Sequence, residues 1–409
     1  MKKIYLFFIS TLSIVTLLIS CEKDHGVYDP DKVKHTSDLA VPKGFNWQMT
    51  ASANYIISAP VETVASIFTD ESCNEDQLIA QVPVSATPNE IMLEYPASTQ
   101  TLYLQFPLQN GKKEVMPVVV KATRATQAIK LPEDAEYEMK DDDIYKYELT
   151  HYISRGTIMF EDYWPVKGDY DFNDFVIHYD ITGRISGGGR PEVYNHEGLD
   201  INIQFKAIGG SYNYQLGFQL DALPAKYIDS YDISQDQEIV KVKFLNPNEE
   251  GPAVFVFEGT SALKGQNGAQ FYNTEKGHEV DKNQLITATI KLKINSFNNL
   301  EKTQALVASV ATTNQNFFLT ADKEIHLRGY SPTAYYQNYE TDANGLMSSI
   351  PYCDKDGFVW GIKVPVNIKH AIEKTDFIEA YPKFGKWVSS NGTQNKDWYK
   401  YPVSGKVID

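Results

Sequence analysis

Cysteine is nearly absent from this chain, with three in 409 residues at positions 21, 73 and 353. A fold held by a disulfide framework is therefore excluded, and so is a zinc site of clustered thiolates. Cys73 and Cys353 lie far apart in sequence and in different expected domains, so two buried thiols are favoured over one disulfide. Basic residues are also scarce. Lys and Arg total 38 against 53 Asp and Glu, a net charge of −15. Binding a phosphate backbone needs clustered Lys and Arg, so nucleic acid is excluded as a partner. Long apolar runs are missing after the first twenty residues, leaving no other segment able to cross a membrane as a helix. The motifs of common hydrolases are missing as well. No H-E-x-x-H pair and no G-x-S-x-G elbow occur, and Gly187-Gly188-Gly189 before Arg190-Pro191 reads as a turn. A glycosidase pair of carboxylates stays open, because spatial separation is invisible in a sequence.

What is present begins with a targeting segment. Lys2 and Lys3 precede the apolar run 4–20, which ends Leu18-Ile19-Ser20-Cys21. This resembles a bacterial lipobox, which implies removal of residues 1–20 and acylation of Cys21; ordinary secretion is the alternative. Several acyl chains on one residue give stable anchoring, so a membrane held through the lipid is the expected partner. Glu22-Lys23-Asp24 resembles the acidic signal of envelope lipoproteins of the outer membrane and cell surface. Residues 21–42 read as the lipidated cysteine and a polar tether.

Tyr (26) and Phe (20) are abundant, which suits sheets better than helices. Short strand-like runs recur at 54–57, 64–68, 78–84, 91–95, 102–106 and 115–120, separated by turn residues such as Asn110-Gly111. Their spacing predicts a small antiparallel β-sandwich over 43–121. A charged connector follows at 122–153, including Asp141-Asp142-Asp143. A larger all-β domain of sandwich or jelly-roll-like form then occupies 154–409. Its expected strands include 199–207, 214–220, 239–244, 254–257, 285–294, 305–311 and 316–319. Lys291 and Lys293 alternate with Ile290, Leu292 and Ile294, the period of a half-buried strand. Near the end Phe377, Tyr381, Phe384 and Val388 fall at helical spacing, with Pro382 as a kink and Asn391-Gly392 as a stop.

The densest chemistry lies in 160–180, FEDYWPVKGDYDFNDFVIHYD. It holds Glu161 and Asp162, then Asp169, Asp171, Asn173 and Asp174, joined by an aromatic-Pro-Gly turn. So many anionic groups repel one another unless a cation sits among them, and hard oxygen donors point to Ca²⁺. Asp169, Asp171, Asn173 and Asp180 fall at positions 1, 3, 5 and 12 of an EF-hand register. Position 6 is Asp174 where that loop needs glycine, so a patchwork of loop oxygens is expected instead. The alternative is that these side chains cap turns by accepting from main-chain amides. His178 alone offers a softer ligand nearby, which argues against zinc.

Three segments carry a family resemblance: FEDYWPVKGDYDFNDFV, KEIHLRGYSPT and AIEKTDFIEAYPKFGKWVSSNGTQNKDWY. They resemble the LruC-type domain of bacterial envelope lipoproteins, over about residues 155–400. The resemblance implies a mostly β, extracytoplasmic domain on an anchored protein, with no catalytic role and no assigned ligand. The expected role is thus non-catalytic surface interaction, through adhesion or assembly with another envelope protein. The alternative is capture of glycans for a polysaccharide-uptake system. Tyr335, Tyr336 and Tyr339, in the polar run 334–344, are the candidate recognition surface. Trp164, Trp360, Trp387 and Trp398 fit core packing better than sugar stacking.

Overall fold

The computed structural model describes residues 33–121, 125–138, 147–187, 194–235 and 239–409. The expected signal segment, Cys21 and the Asp141–Asp143 run lie outside the described residues. The architecture is all-β, as expected. The first seven strands are β1 (Thr50–Ser58), β2 (Thr63–Phe68), β3 (Leu78–Val84), β4 (Asn89–Pro96), β5 (Thr101–Pro107), β6 (Lys113–Val119) and β7 (Gln127–Lys130). Strands β4-β1-β7 form one sheet, and β3-β2-β5-β6 belong to another. Tyr55, Ile57, Ile91 and Leu93 from the first share a core with Ile67, Val82, Leu104 and Phe106 from the second. Alternating burial along β5 (Leu102, Leu104 and Phe106 inward) shows the two-residue period that buries one face. β7 lies past the expected end of the sandwich at residue 121, where it pairs parallel with β1.

Eleven further strands build the larger unit: β8 (Tyr147–Phe160), β9 (Phe175–Gly187), β10 (Tyr194–Ala207), β11 (Gln215–Pro224), β12 (Ser230–Gln235), β13 (Lys241–Phe244), β14 (Pro252–Glu258), β15 (Thr287–Lys293), β16 (Gln315–Thr320), β17 (Glu324–His326) and β18 (Gly361–Val364). The order β12-β15-β10-β9-β8 continues into β3 through the single pairing Ala80 with Tyr152, so the two units share one sheet. β18 pairs with the end of β8. Strands β13-β14-β11-β16-β17 form the facing layer, and Ile177, Ile201 and Ile290 meet Phe218, Phe255 and Phe317 between them. β19 (His370–Ala371) and β20 (Val407–Ile408) form a small separate pair.

Four expectations change. Residues 305–311 are not a strand but the end of helix α1 (Leu300–Val310), capped by Asn299, whose side chain accepts from Lys302 N. Leu306, Ser309 and Val310 are its buried positions, and a three-to-four residue spacing fits a helix, not a strand. A second helix, α2 (Tyr339–Ala343), lies within the polar run 334–344, where the sequence predicts a loop. The C-terminal helical spacing yields two short helices, α3 (Phe377–Ala380) and α4 (Phe384–Ser389), because Pro382 falls between them. Asn391 and Gly392 end α4 in the left-handed region, at φ 54° and 73°.

The fourth change concerns the tether. Thr36 and Leu39 are buried, and the Thr36 amide donates to both carboxylate oxygens of Asp376 at 3.0 and 2.9 Å. Phe45 packs on Trp387 with ring centroids 4.9 Å apart, and Trp47 on Phe384 at 6.1 Å. Residues 36–49 thus complete the C-terminal aromatic cluster, because α3 and α4 are too short to close a core by themselves. Among the described residues no helix is long and apolar enough to cross a membrane.

Candidate metal centre

The acidic segment connects β8 to β9 and is wedged between two apolar clusters. Trp164 turns to one side, with ring centroids 5.7 Å from Tyr339 and 5.3 Å from Tyr352. Tyr170 and Phe172 turn to the other, 5.1 Å from Phe358 and 5.3 Å from Phe377. Both adopt left-handed backbone, at φ 55° and 53°, a conformation uncommon for aromatic residues. Their rings are anchored outward while their N–H groups point inward. Tyr170 N donates to Glu161 Oε2 at 3.1 Å and Phe172 N to Oε1 at 2.7 Å.

Glu161, Asp169 and Asp171 converge: one carboxylate oxygen from each lies within 4.8 Å of the others. Oxygens ligating one Ca²⁺ at about 2.3–2.6 Å are separated by up to about 5 Å, so the spacing fits a shared ion. Glu161 and Asp171 are buried, whereas Asp169 is exposed and would form the mouth. Asp171 accepts from Asn173 N (3.1 Å), Asn173 Nδ2 (2.8 Å) and Lys374 N (3.1 Å). The Asn173 amide therefore orients Asp171. Its Oδ1 is buried without a hydrogen-bond partner and would lie 2.4 Å from a Cβ at position 209, which is glycine. Gly168 is similarly constrained, since a Cβ there would sit 2.3 Å from Glu161 Oε2.

Asp162 and Asp174 form the base of the loop. Asp174 Oδ2 accepts from Asp162 N at 2.7 Å, and Asp162 Oδ2 from Tyr212 N at 3.0 Å. Lys264 reaches this end and donates to the carbonyls of Gly210 and Tyr212, both at 2.6 Å. Asp180 is not part of the group: it sits in β9, beside Arg155 at 3.4 Å. His178 also points away, its Nδ1 2.8 Å from the Gly156 carbonyl.

Charge is poorly balanced here. Burial, then the neighbouring Asp174, Asp171 and Asp169, pushes the Glu161 carboxyl well above its usual range. Burial and Asp169 push Asp171 up to about 8. Asp174 and Asp162 are raised too, burial being the main cause in each. Glu373, from the C-terminal region, lies within electrostatic reach of the cluster and is pushed up to about 7 by burial and Asp169. Nothing in the sequence links position 373 to position 171. The link is spatial, made when the amide of Lys374 docks on Asp171. Both features set out for this segment are present at once, main-chain capping and convergence of oxygens. A carboxylate oxygen that accepts one N–H keeps a lone pair for a cation, so capping and ligation are compatible.

The tyrosine surface needs correction. Tyr335 is exposed, but Tyr336 is buried, its hydroxyl donating to Asp342 Oδ2 at 2.5 Å. Tyr339 begins α2 and stacks on Trp164, its hydroxyl accepting from Tyr352 N at 3.3 Å. The two turn inward because the run that looks polar in sequence lies over the apolar core, which they join. All four expected core tryptophans are buried. Three exposed aromatic or apolar residues lie in or beside the acidic loop. Tyr163, Val166 and Tyr212 are 49%, 52% and 51% exposed, with the two tyrosine rings 6.1 Å apart. Cys73 and Cys353 are free thiols.

Residues 197–399 match a family model described as a domain of unknown function (DUF4842), and residues 63–130 match another, also a domain of unknown function (DUF4841). The second range ends with β7, and the acidic loop falls between the two. No curated protein matches the sequence. The fold is similar to the crystal structure, at 2.08 Å resolution, of a Bacteroides ovatus protein described as a "putative lipoprotein". The TM-score is 0.70 and the identity 25%, over 85% of this chain and 99% of that one.

Proposed function

We propose that this is a non-catalytic envelope lipoprotein of the LruC type, anchored through Cys21, in which a Ca²⁺ ion organises the β8–β9 loop. The observation that carries the calcium reading is the convergence of Glu161, Asp169 and Asp171 within 4.8 Å inside a largely buried, net-negative setting. Burying several carboxylates without a counter-charge costs several kcal/mol per ion, and a divalent cation offsets that penalty. The lipobox at Ser20-Cys21 supports the anchor, as does the description of the Bacteroides ovatus neighbour. The ion would hold Tyr163, Val166 and Tyr212 in a fixed exposed arrangement, a surface suited to adhesion or to assembly with another envelope protein. Capture of glycans through the 334–344 run is less well supported, since of its three tyrosines only Tyr335 is exposed.

Thermal melts in EDTA and in calcium test the reading. Calcium at about 100 times its dissociation constant adds about 2.7 kcal/mol, a rise of several degrees. Coincident curves, or a calcium shift that persists in Asp171→Ala, count against the site. Cys21→Ala should move the protein from the membrane to the soluble fraction; continued partitioning into membranes refutes the acyl anchor.

A further inference from the structure

A crevice of about 360 Å³ opens where residues 46–50 pass the 312–313 turn, the 327–330 segment and β18. Among the described residues no acidic side chain lines it, whereas Arg328 and Lys363 both do. Arg328 Nε is buried there without a hydrogen-bond partner. Lys363 donates to the Thr312 carbonyl at 3.1 Å and to Gln315 Oε1 at 2.9 Å. Both acceptors are neutral, and an ammonium has three N–H donors, so one is left over. Its charge also lies 4.9 Å from the centroid of the Tyr179 ring. Burial pushes the Lys363 ammonium down to about 7, and Glu94, which does not line the crevice, is the charge opposing that shift. The imbalance is opposite in sign to that of the acidic loop: partly desolvated cations with no anion among the described lining residues.

We propose that this crevice binds a small organic carboxylate. The Arg328 guanidinium and the Lys363 ammonium would share the carboxylate, and Trp47 and Tyr330 would flank the carbon skeleton. A guanidinium fork matches a planar carboxylate with two parallel N–H donors, which favours this anion over a tetrahedral one. The volume suits a ligand up to about the size of a monosaccharide. The site does not depend on the calcium reading, because it shares no residue with the acidic loop.

Calorimetric titration at low ionic strength tests it, with acetate, succinate and D-glucuronate against uncharged D-glucose and inorganic phosphate. At least one carboxylate should bind saturably and at least tenfold more tightly than glucose or phosphate. Arg328→Gln and Lys363→Met should each weaken that binding tenfold or more. Should Lys363→Met fail to fold, the half-buried Arg328 still provides the decisive variant. Absence of saturable carboxylate binding, equal affinity for glucose, phosphate binding as tight as carboxylate, or unchanged affinity in Arg328→Gln would each overturn the proposal.

Discussion

Two buried carboxylates in this protein are handled in opposite ways. Glu324, on β17, is enclosed by partners from its own chain: His326 Nε2 at 2.9 Å, Thr333 N at 2.8 Å and Thr333 Oγ1 at 2.6 Å. His326 in turn meets Asn316 Oδ1 through Nδ1 at 2.6 Å. Both ring nitrogens face acceptors, a geometry that fits the imidazolium. Burial pushes the His326 imidazole downward, and the hydrogen bond and charge of Glu324 oppose that push. Glu161 is just as deeply buried and also accepts two bonds, yet the charges around it are those of Asp169, Asp171 and Asp174. Hydrogen bonds alone can orient a carboxylate; only an opposite charge removes its repulsion from its neighbours. The first site is complete as protein, and the second has room for a cation.

The comparison breaks most visibly if one partner is removed from the complete site. Glu324→Ala leaves His326 and Thr333 without their acceptor in a dry interior. Losing one member of a buried pair should destabilise the protein by about 3–5 kcal/mol, equally in calcium and in EDTA. Glu161→Gln should behave differently. In calcium it forfeits about 2.7 kcal/mol of ligand-linked stability, whereas in EDTA the loss of one main-chain bond, which the Gln Nε2 cannot accept, is offset by relief of like charge, so the cost is smaller. Urea titrations of both variants under both conditions measure the four values. A Glu161→Gln loss of the same size in EDTA would make that residue an ordinary core partner.

The contrast also shows how far the sequence could be read. Glu161, Asp169 and Asp171 were recognisable because they are local: one connection between two strands carries all three, and their density is itself the signal. Glu373 was not recognisable, since its place depends on how the C-terminal region packs across the loop. Helix α1 reads as a strand in the sequence because Ala305, Leu306, Val307 and Val310 are apolar in either conformation, and burial alone shows the period. Tyr336 and Tyr339 look like surface residues in the sequence because polar neighbours surround them there, while the core surrounds them in space. The docking of residues 36–47 left no periodic trace, being made of single anchors, Thr36, Phe45 and Trp47.

A pH series sharpens the comparison at intermediate magnitude. Without metal, Asp171 moves from 3.8 in the unfolded chain to about 8, and Glu373 from 4.5 to about 7. A raised acid keeps in the folded state a proton that the unfolded state releases, so stability falls as pH rises towards about 8. His151 and His370, pushed to about 3 by burial, act oppositely and only below about 6.5, where the unfolded imidazole gains its proton. Lys363 and Lys206, lowered by burial to about 7 and about 8, add stability as pH rises above those values, so the diagnostic window is pH 6.5 to 7. In EDTA the melting temperature should decline across it, and in calcium the decline should vanish, because the ion takes the place of the protons. A melting temperature that rises with pH in EDTA would contradict the raised carboxyls.

The smallest effect belongs to Asp180. The EF-hand register would make it the closing ligand, and its loss would then abolish calcium stabilisation. The structure puts it on β9 as a partly exposed partner of Arg155, 3.4 Å from Nε, and that guanidinium also donates to the Glu75 carbonyl at 2.6 Å. Ion pairs of this kind contribute about 0.2–1 kcal/mol. Asp180→Asn should therefore lower stability by no more than that, and the calcium-induced shift should match the wild type. Melts of Asp180→Asn and Asp171→Ala, each with and without calcium, separate the two geometries. If the Asp180 variant loses the calcium shift and the Asp171 variant retains it, the ligands follow the linear register, and the convergence at Glu161 has no bearing on metal.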